Sequence, residues 1–78
     1  MKLVVKYFGA IAEYLEMSEE HWELEVSSSM QVREVLESRH PGLKEFTYAV
    51  SVNRKLSDVL TDSEENVEIA VLPPFAGG

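Results

Sequence analysis

One segment near the middle of the chain has the apolar spacing of a helix: SSSMQVREVLESRHPG, residues 27–42. Val32, Val35 and Leu36 recur at helical intervals and form a single apolar stripe. Pro41–Gly42 predicts where this helix ends, because glycine and proline commonly follow the last turn of a helix. This is the strongest helical pattern in the sequence, so the fold is expected to contain one main helix.

The serine run at the start of this segment predicts the amino-terminal cap of the helix. Ser28, followed three residues later by Gln31, matches a capping box, and Ser29 is the alternative cap. Ser27–Ser29 has no neighbouring base that could activate a hydroxyl, so we interpret the run as structural rather than catalytic.

The remaining apolar segments mostly alternate with a period of two, which is typical of strands with one buried face. KLVVKYF (2–8) and VEIAVL (67–72) show this pattern clearly, and HWELEV (21–26) and YAVSVN (48–53) repeat it. The residues predicted to face the core are Leu3, Val5, Tyr7, Trp22, Leu24, Val26, Tyr48, Val50, Val52, Val67, Ile69 and Val71.

Shorter elements connect these strands. AIAEYLE (10–16) predicts a short helix, and Asn53–Arg54 predicts a turn. KLSDVLTDSEEN (55–66) predicts a mostly irregular crossover. The short helix is expected to pack through Ile11, Tyr14 and Leu15, and the crossover is expected to be tethered by Leu56, Val59 and Leu60.

These elements predict one α+β domain, in which a mixed sheet of four or five strands packs on the main helix. The domain is expected to span residues 1–78, with residues 73–78 as a projecting tail. A domain of this size buries roughly 60% of its unfolded surface, which suffices for one small core. If the first and last strands are adjacent and parallel, the helix covers one face of the sheet and the other face stays open.

The open face is predicted to carry apolar side chains. The alternation directs Val4 and Phe8 of the first strand, and Ala70 and Leu72 of the last, toward this face, with Phe75 just beyond. A contiguous exposed apolar patch is typical of a site for a protein partner. A small patch covered by loops is the alternative interpretation.

Composition argues against several classes of function. Fourteen acidic residues against seven basic ones give a formal charge of -7, so the chain lacks the basic surface that nucleic acids require. This charge favours solubility and is compatible with docking to a basic protein surface. The absence of cysteine excludes disulfides and thiolate chemistry. The amino-terminal apolar run is too short for a signal sequence or membrane span, so a cytoplasmic protein is expected.

The body of the chain contains no motif that predicts catalysis or metal binding. His21 and His40 lack the spacing of a metal site and are expected to be solvated. The glutamates of SEEH (18–21) and DSEEN (62–66) are interpreted as solvated loops. Neither glycine-rich phosphate-binding pattern is present.

The segment VLPPFAGG, residues 71–78, is the stretch that predicts chemistry. Pro73–Pro74 cannot continue a hydrogen-bonded ladder and holds the chain extended, so the tail is expected to project from the sheet. Gly77 and Gly78 have no side chains and fit a channel as narrow as the backbone. The reactive group is then the α-carboxylate of Gly78, which adenylation by ATP activates toward a sulfur nucleophile.

These segments together resemble the small subunit of molybdopterin synthase, a family of ubiquitin-like β-grasp proteins that carry sulfur. The resemblance rests on VVKYFGAIAEYL, QVREVLESRHP, VSVNRKL and VEIAVLPPFAGG, and it covers essentially the whole chain. The ending with two prolines, an aromatic residue and a diglycine is its most specific part. The chain departs from the family in the acidic loop DSEEN and at Gln31, where the family often has threonine.

The resemblance implies that Gly78 is adenylated by a dedicated ATP-dependent activating enzyme and converted to a thiocarboxylate. The tail then enters the large subunit of a heterotetrameric synthase, where sulfur passes to cyclic pyranopterin monophosphate. The small subunit binds no cofactor or metal and is not catalytic alone. The candidate site residues are Gly78 at the reactive terminus, Pro74, Ala76 and Gly77 along the tail, and Phe8, Leu72 and the anchor Phe75 at the partner surface.

Other functions remain open at this point. One is sulfur carriage in another pathway, for thiamine thiazole, cysteine or tRNA thiolation, although thiazole carriers usually lack the double proline. Another is a protein modifier that is joined through Gly78 to lysines of its targets. A third is an interaction module with an inert tail.

Overall fold

The computed structural model describes residues 1–26 and 28–74, so the predictions for Ser27 and for residues 75–78 lie outside the described residues. Neither α-helix in the described ranges has the length and apolar character needed to cross a membrane. In chain order the elements are β1 (Lys2–Tyr7), α1 (Gly9–Leu15), β2 (Glu19–Glu23), β3 (Ser29–Gln31), α2 (Val32–Arg39), a 3₁₀ helix (Pro41–Glu45), β4 (Ala49–Val52), β5 (Lys55–Leu56), β6 (Val59–Thr61) and β7 (Asn66–Leu72).

The main sheet has five strands in the order β2-β1-β7-β4-β5. β1 and β7 pair in parallel from Lys2 opposite Asn66 to Tyr7 opposite Val71, and the other neighbours in this sheet pair antiparallel. The predicted mixed sheet, with the first and last strands side by side, is therefore confirmed. β3 and β6 form a separate two-stranded sheet.

One hydrophobic core joins the inner face of the sheet to both α-helices and the 3₁₀ helix. The alternation predicted for β1 and β7 is confirmed, because every second residue of each strand is buried. Each fully buried aliphatic side chain contributes about 1.5–3 kcal/mol relative to an exposed one. The buried apolar residues are Leu3, Val5, Tyr7, Ile11, Trp22, Val32, Leu36, Leu43, Tyr48, Val50, Leu60, Val67, Ile69 and Val71.

The amino terminus of α2 is capped by a residue from a distant part of the chain. Gln31 occupies the cap position and makes no side-chain hydrogen bond to the helix. The Val32 N–H donates to the Asp58 carbonyl oxygen at 2.9 Å, and the Arg33 N–H donates to Asp58 Oδ1 at 3.0 Å. Asp58 thus satisfies two of the N–H groups that a helix leaves without partners at its start.

The residues just before α2 are extended instead of capping it. Ser29–Gln31 pairs antiparallel with Val59–Thr61 of the crossover. The capping box predicted from Ser28 and Gln31, with Ser29 as the alternative, is wrong for this reason. The backbone of this segment satisfies its hydrogen bonds in a second sheet that a local motif cannot reveal.

The crossover at residues 55–66 is more regular than its sequence predicts, because it contains β5 and β6. β5 returns along β4 through the predicted turn at Asn53–Arg54, which is confirmed by φ angles of 49° and 71°. Leu60 is buried, as expected of a tether. Leu56 is 72% exposed and Val59 is 48% exposed, so the prediction that these two tether the crossover is wrong.

β2 is shifted toward the amino terminus relative to the strand predicted at residues 21–26. Trp22 is buried as predicted, but Leu24 and Val26 follow the strand and are half-buried. The interpretation of Glu19 and Glu20 as part of a solvated loop is wrong, because both are the first residues of β2 and oppose Lys6 and Val5 of β1.

α1 contacts the core through Ile11, while Tyr14 is 54% exposed. The Tyr14 ring lies over the 3₁₀ helix, with its centroid 5.2 Å from that of Phe46. A Cβ added to Gly42 would overlap the Tyr14 hydroxyl, so this approach requires glycine. The predicted stripe therefore holds for Ile11 and the half-buried Leu15, whereas Tyr14 fixes α1 at the surface.

Candidate functional site

The middle strand of the main sheet leads directly into the terminal segment. β7 lies between β1 and β4 and ends at Leu72. Pro73 and Pro74 follow and are exposed. Because proline has no backbone N–H, neither can donate to a neighbouring strand, and the ladder ends here. The predicted tail residues Phe75, Ala76, Gly77 and Gly78 lie outside the described residues.

A glycine supports the terminal segment where it leaves the sheet. Gly9 begins α1 with a φ angle of 60°, a left-handed conformation that only glycine adopts without strain. A Cβ added to Gly9 would lie 3.7 Å from Pro73 Cγ, an ordinary contact distance. The proline ring therefore faces the first residue of α1 across the space that a side chain would occupy.

The open face of the sheet carries an apolar patch at the same end. Phe8 and Leu72 each follow a core-facing residue, Tyr7 or Val71, so their side chains point to the open side as predicted. Across the strands, Ala49 opposes Leu72 and Ser51 opposes Ala70. The open-face patch consists of Phe8, Ala49, Leu56, Ala70 and Leu72.

Leu56 belongs to the open-face patch although its sequence context predicts a core tether. β5 pairs it with Ser51, whose side chain lies on the open side of β4 because Val50 and Val52 point to the core. The signal in the sequence is the turn at Asn53–Arg54, because a two-residue turn fixes which residues of the two strands oppose each other.

Charged side chains border the open-face patch. Lys6 Nζ lies 3.3 Å from Glu68 Oε2, and Arg54 Nε lies 3.5 Å from Glu68 Oε1. The hydrogen bond and charge of Lys6, with a smaller contribution from Arg54, lower the pKa of the Glu68 carboxyl. Asn53 Oδ1 accepts a hydrogen bond from the Glu68 N–H at 2.9 Å. Exposed ion pairs contribute little stability, so these charges chiefly define what a partner would meet.

Two histidines on or near β2 have different environments. His21 is exposed, as predicted, and pairs with Glu19 at 2.8 Å. The prediction that His40 and Glu20 are solvated is wrong, because their side chains are 17% and 25% exposed and pair at 2.8 Å. The Tyr7 hydroxyl donates to the same Glu20 oxygen at 2.8 Å. Burial, with Glu20 adding to it, raises the pKa of Tyr7.

Tyr48 fixes α2 to the edge of β4. Its hydroxyl donates to Glu37 Oε2 at 2.6 Å, and burial, reinforced by Glu37, raises the pKa of Tyr48. The Arg33 guanidinium donates to the Tyr48 carbonyl oxygen at 2.5 Å and lies 4.4 Å from the ring centroid. Arg33 and Glu37 therefore hold the helix in place.

The described residues bring together an exposed apolar patch at the end of the sheet where the terminal segment begins. Within residues 1–26 and 28–74, no group of three or more histidine, aspartate or glutamate side chains is placed to hold a metal ion. The candidate site is the open-face patch together with the start of the terminal segment at Pro73 and Pro74.

The parallel pairing of β1 and β7 at the centre of a mixed sheet, with α2 packed on one face, is the ubiquitin-like β-grasp arrangement. The model of the ThiS family matches residues 5–78, and the chain belongs to that family. This match confirms the resemblance to ubiquitin-like sulfur carriers. No curated protein matches the chain.

Solved structures share this fold at low sequence identity. A Pyrococcus furiosus protein described as molybdopterin converting factor, subunit 1, is 23% identical with a TM-score of 0.74, covering 96% of this chain and 99% of that one. SAMP1 from Haloferax volcanii is 20% identical with a TM-score of 0.73 over the full length of both chains. A chain in the complex of subunits 1 and 2 of molybdopterin-converting factor from Helicobacter pylori 26695 is 24% identical, with a TM-score of 0.62 and full coverage of both.

Proposed function

We propose that the chain is the sulfur-carrying small subunit of a molybdopterin synthase and acts in the cytoplasm. Gly78 carries sulfur as a terminal thiocarboxylate, which the large subunit uses to build the dithiolene of molybdopterin on cyclic pyranopterin monophosphate. The small subunit contributes the sulfur-bearing terminus. The large subunit contributes the acid–base groups and the substrate pocket.

The chemistry at Gly78 proceeds through an activated intermediate, because a carboxylate is a poor electrophile. On the activating enzyme, a carboxylate oxygen of Gly78 attacks the α-phosphorus of ATP, and pyrophosphate leaves. A sulfur nucleophile then attacks the carbonyl carbon of the acyl-adenylate, and AMP leaves. When the nucleophile is a donor persulfide, this step gives an acyl disulfide; a second thiol then attacks the donor-side sulfur, so that a disulfide forms on the donor and the Gly78 thiocarboxylate leaves.

The observation that carries the proposal is the position of the open-face patch beside the start of the terminal segment. β7 ends at Leu72, inside the patch, and Pro73 follows immediately. Gly78 is six residues beyond Leu72, and an extended chain spans about 3.3–3.6 Å per residue, so its reach is roughly 20 Å. This reach is enough for the terminus to enter a partner that docks on the patch.

The composition of the tail suits threading into such a partner. Gly77 and Gly78 fit a narrow channel, and Pro74 and Ala76 add little bulk. Ordering each residue costs roughly 1–2 kcal/mol of backbone entropy. Burying Phe75 in the partner returns about 1.5–3 kcal/mol, which offsets much of this cost.

Two structural neighbours support a partner of this kind. The Pyrococcus furiosus protein is described as subunit 1 of molybdopterin converting factor, and the Helicobacter pylori structure contains subunits 1 and 2 together. We infer that the open-face patch docks on the large subunit, in a heterotetramer with two small subunits, and on the activating enzyme in turn. The formal charge of -7 favours basic partner surfaces.

A second candidate is a protein modifier conjugated through Gly78 to lysines. The similarity to SAMP1 from Haloferax volcanii favours it, because a structure of this protein is described as that of small archaeal modifier protein 1. Both functions begin with adenylation of Gly78 and diverge at the nucleophile, which is sulfur for a carrier and a lysine amine for a modifier. Sulfur carriage for thiamine thiazole or tRNA shares the first step as well.

The experiment incubates the purified chain with its activating enzyme, ATP and a sulfur source, and measures its intact mass. A carrier gains the mass of one oxygen-to-sulfur exchange. Adding the large subunit and cyclic pyranopterin monophosphate then returns the original mass and yields molybdopterin.

Three outcomes contradict the proposal in distinguishable ways. Absence of the mass change overturns sulfur carriage. A thiocarboxylate that the large subunit does not consume favours another sulfur pathway. Branched peptides that join Gly78 to target lysines in cell extracts, without the sulfur exchange, favour the modifier.

A further inference from the structure

One oxygen of Glu20 connects three elements of the fold away from the open face. Glu20 lies on β2, and its Oε1 accepts the Tyr7 hydroxyl of β1 at 2.8 Å. His40 Nε2, from the residue that ends α2, lies 2.8 Å from the same oxygen. The Tyr7 and His40 rings also meet edge to face, with centroids 6.0 Å apart. Because both bonds end on one oxygen, a change in either bond alters the other.

The surroundings keep this carboxylate charged although it is mostly covered. Burial acts to raise the pKa of Glu20, but hydrogen bonds from His40 and Tyr7 outweigh it, so the pKa lies below its ordinary value. The Trp22 N–H also lowers this pKa, although it falls short of hydrogen-bond geometry. The Arg39 guanidinium lies 4.5 Å from the Trp22 ring centroid and partly counteracts the raised pKa of Tyr7.

The backbone of His40 is hydrogen-bonded on both sides, and its ring contacts Glu20 and Tyr7. Its N–H donates to the Leu36 carbonyl oxygen at 2.8 Å, and its carbonyl oxygen accepts from the Leu43 N–H at 2.9 Å. Glu20 on β2 and Tyr7 on β1 contact the His40 ring, and Arg39 precedes it on α2. Histidine changes charge between about pH 5 and 8, and a protonated imidazole makes a stronger bond to a carboxylate.

Tyr7 connects this cluster to the start of the terminal segment. It is the last residue of β1, opposite Val71, and its N–H donates to the Ser18 carbonyl oxygen at 2.9 Å. Two residues later, Gly9 adopts its left-handed conformation, and a Cβ added there would meet Pro73 at an ordinary contact distance. Tyr7 and Gly9 thus belong to one short backbone segment, which connects the cluster to the residue that faces Pro73.

We propose that the cluster of Tyr7, Glu20 and His40 positions the terminal segment where it leaves the sheet, and that protonation of His40 changes this position. Protonated His40 draws Glu20 Oε1 toward itself and weakens the bond from Tyr7, which loosens the end of β1 beneath Pro73. The proposal concerns the free protein and does not depend on what the terminus carries.

The test follows backbone amide signals by nuclear magnetic resonance across a pH titration of the full chain. In the wild-type protein, the signals of Gly9 and Leu72 shift with the same midpoint as the His40 ring signals. In His40→Gln, which keeps a hydrogen-bond donor but cannot change charge, this response is lost.

Two further variants separate coupling through Tyr7 from direct effects. Tyr7→Phe keeps the ring in the core and leaves the titration of His40 in place, but removes the response of Gly9 and Leu72. His21→Gln alters the exposed pair on the same strand, with the same 2.8 Å spacing to its glutamate, and leaves the response intact.

The proposal is overturned if Gly9 and Leu72 in the wild-type protein do not follow the His40 midpoint. It is equally overturned if their response persists in Tyr7→Phe, because a direct effect of the His40 charge then explains it. Loss of the response in His21→Gln assigns it to the exposed pair and also contradicts the proposal.

Discussion

The two faces of the main sheet carry similar residue types, but different surroundings cover them. In β1, Leu3 and Val5 are at most 1% exposed, and each meets the core beneath α2. On the opposite face, Val4 is half-buried and Phe8, just beyond the strand, is 43% exposed. Apolar residues on the first face stabilise the fold, whereas those on the second are available to a partner. In a strand that is apolar on both faces, one face therefore stabilises the fold and the other is exposed to a partner.

Deletion of Gly78 has the largest expected effect, because it separates function at the terminus from the stability of the core. We expect complete loss of sulfur acceptance with an unchanged melting temperature, because the reactive carboxylate is then one residue short of its position in the activating enzyme. Adding one residue after Gly78 has the same effect. Intact mass after incubation with the activating enzyme and ATP measures the first quantity, and thermal melts measure the second. Normal thiocarboxylation of the deletion variant would refute the role of Gly78.

Truncation on the core face of β7 has the largest expected effect on stability. Ile69 is 0% exposed, so Ile69→Ala is expected to lower the free energy of unfolding by about 2–5 kcal/mol. Leu72→Ala, on the open side of the same strand, is expected to lower it by less than about 1 kcal/mol. Urea denaturation of both variants compares the faces directly, and equal losses would abolish the distinction.

A charge on the open-face patch is expected to weaken partner binding with little loss of stability. Leu72→Asp and Leu56→Asp each raise the Kd for the large subunit by about tenfold or more, the equivalent of about 1.4 kcal/mol. Val59→Asp is the control, because Val59 is also exposed but lies on the smaller sheet. Calorimetric titration measures the affinities. If Leu72→Asp unfolds the domain, the faces of β7 are assigned in the wrong register.

The smallest expected effect concerns the partly buried carboxylate of Glu20 on β2. The pKa of Glu20 in the folded protein lies below its ordinary value of 4.5. The charged Glu20 side chain therefore stabilises the fold fully above that ordinary pKa, and this stabilisation is lost as the pH falls through the folded-state pKa. Glu20→Gln is expected to lower the free energy of unfolding at neutral pH by about 1 kcal/mol and to flatten its decline in acid. Glu19→Gln, which alters the exposed pair with His21, is expected to change neither the free energy of unfolding nor its decline in acid. Urea denaturation at several acidic pH values measures this. If the free energy of unfolding of Glu20→Gln falls with pH as steeply as that of the wild-type protein, the stabilising role of Glu20 is contradicted.

The sequence predicts features of this fold that depend on neighbouring residues. Alternation in β1 and β7 identifies their buried faces, and Asn53–Arg54 marks a turn, because each pattern is local. The cap of α2 cannot be found this way, since Asp58 is 25 positions from Arg33. Burial of His40 depends in the same way on Glu20, which is 20 positions away.

Part of the candidate site could be predicted from the sequence, because it also depends on local patterns. The open-side positions of Phe8 and Leu72 follow from strand alternation alone. The position of Leu56 follows only from the register between β4 and β5. The turn at Asn53–Arg54 determines this register, but the sequence around Leu56 predicts an irregular crossover. The roles of Phe75 and Gly78 rest on the sequence and stay predictions.

The parallel pairing of β1 with β7 makes the sheet depend on chain that is synthesised late. Lys2 finds its partner Asn66 only after the intervening strands and helices have left the ribosome. Contacts between such distant positions slow folding, because the loop between them must close first. A chain that stops before residue 66 lacks its middle strand and presents the unpaired edges of β1 and β4 to proteases and other chains. A partner that recognises the open face of the complete sheet therefore selects chains whose translation has already reached the start of the terminal segment.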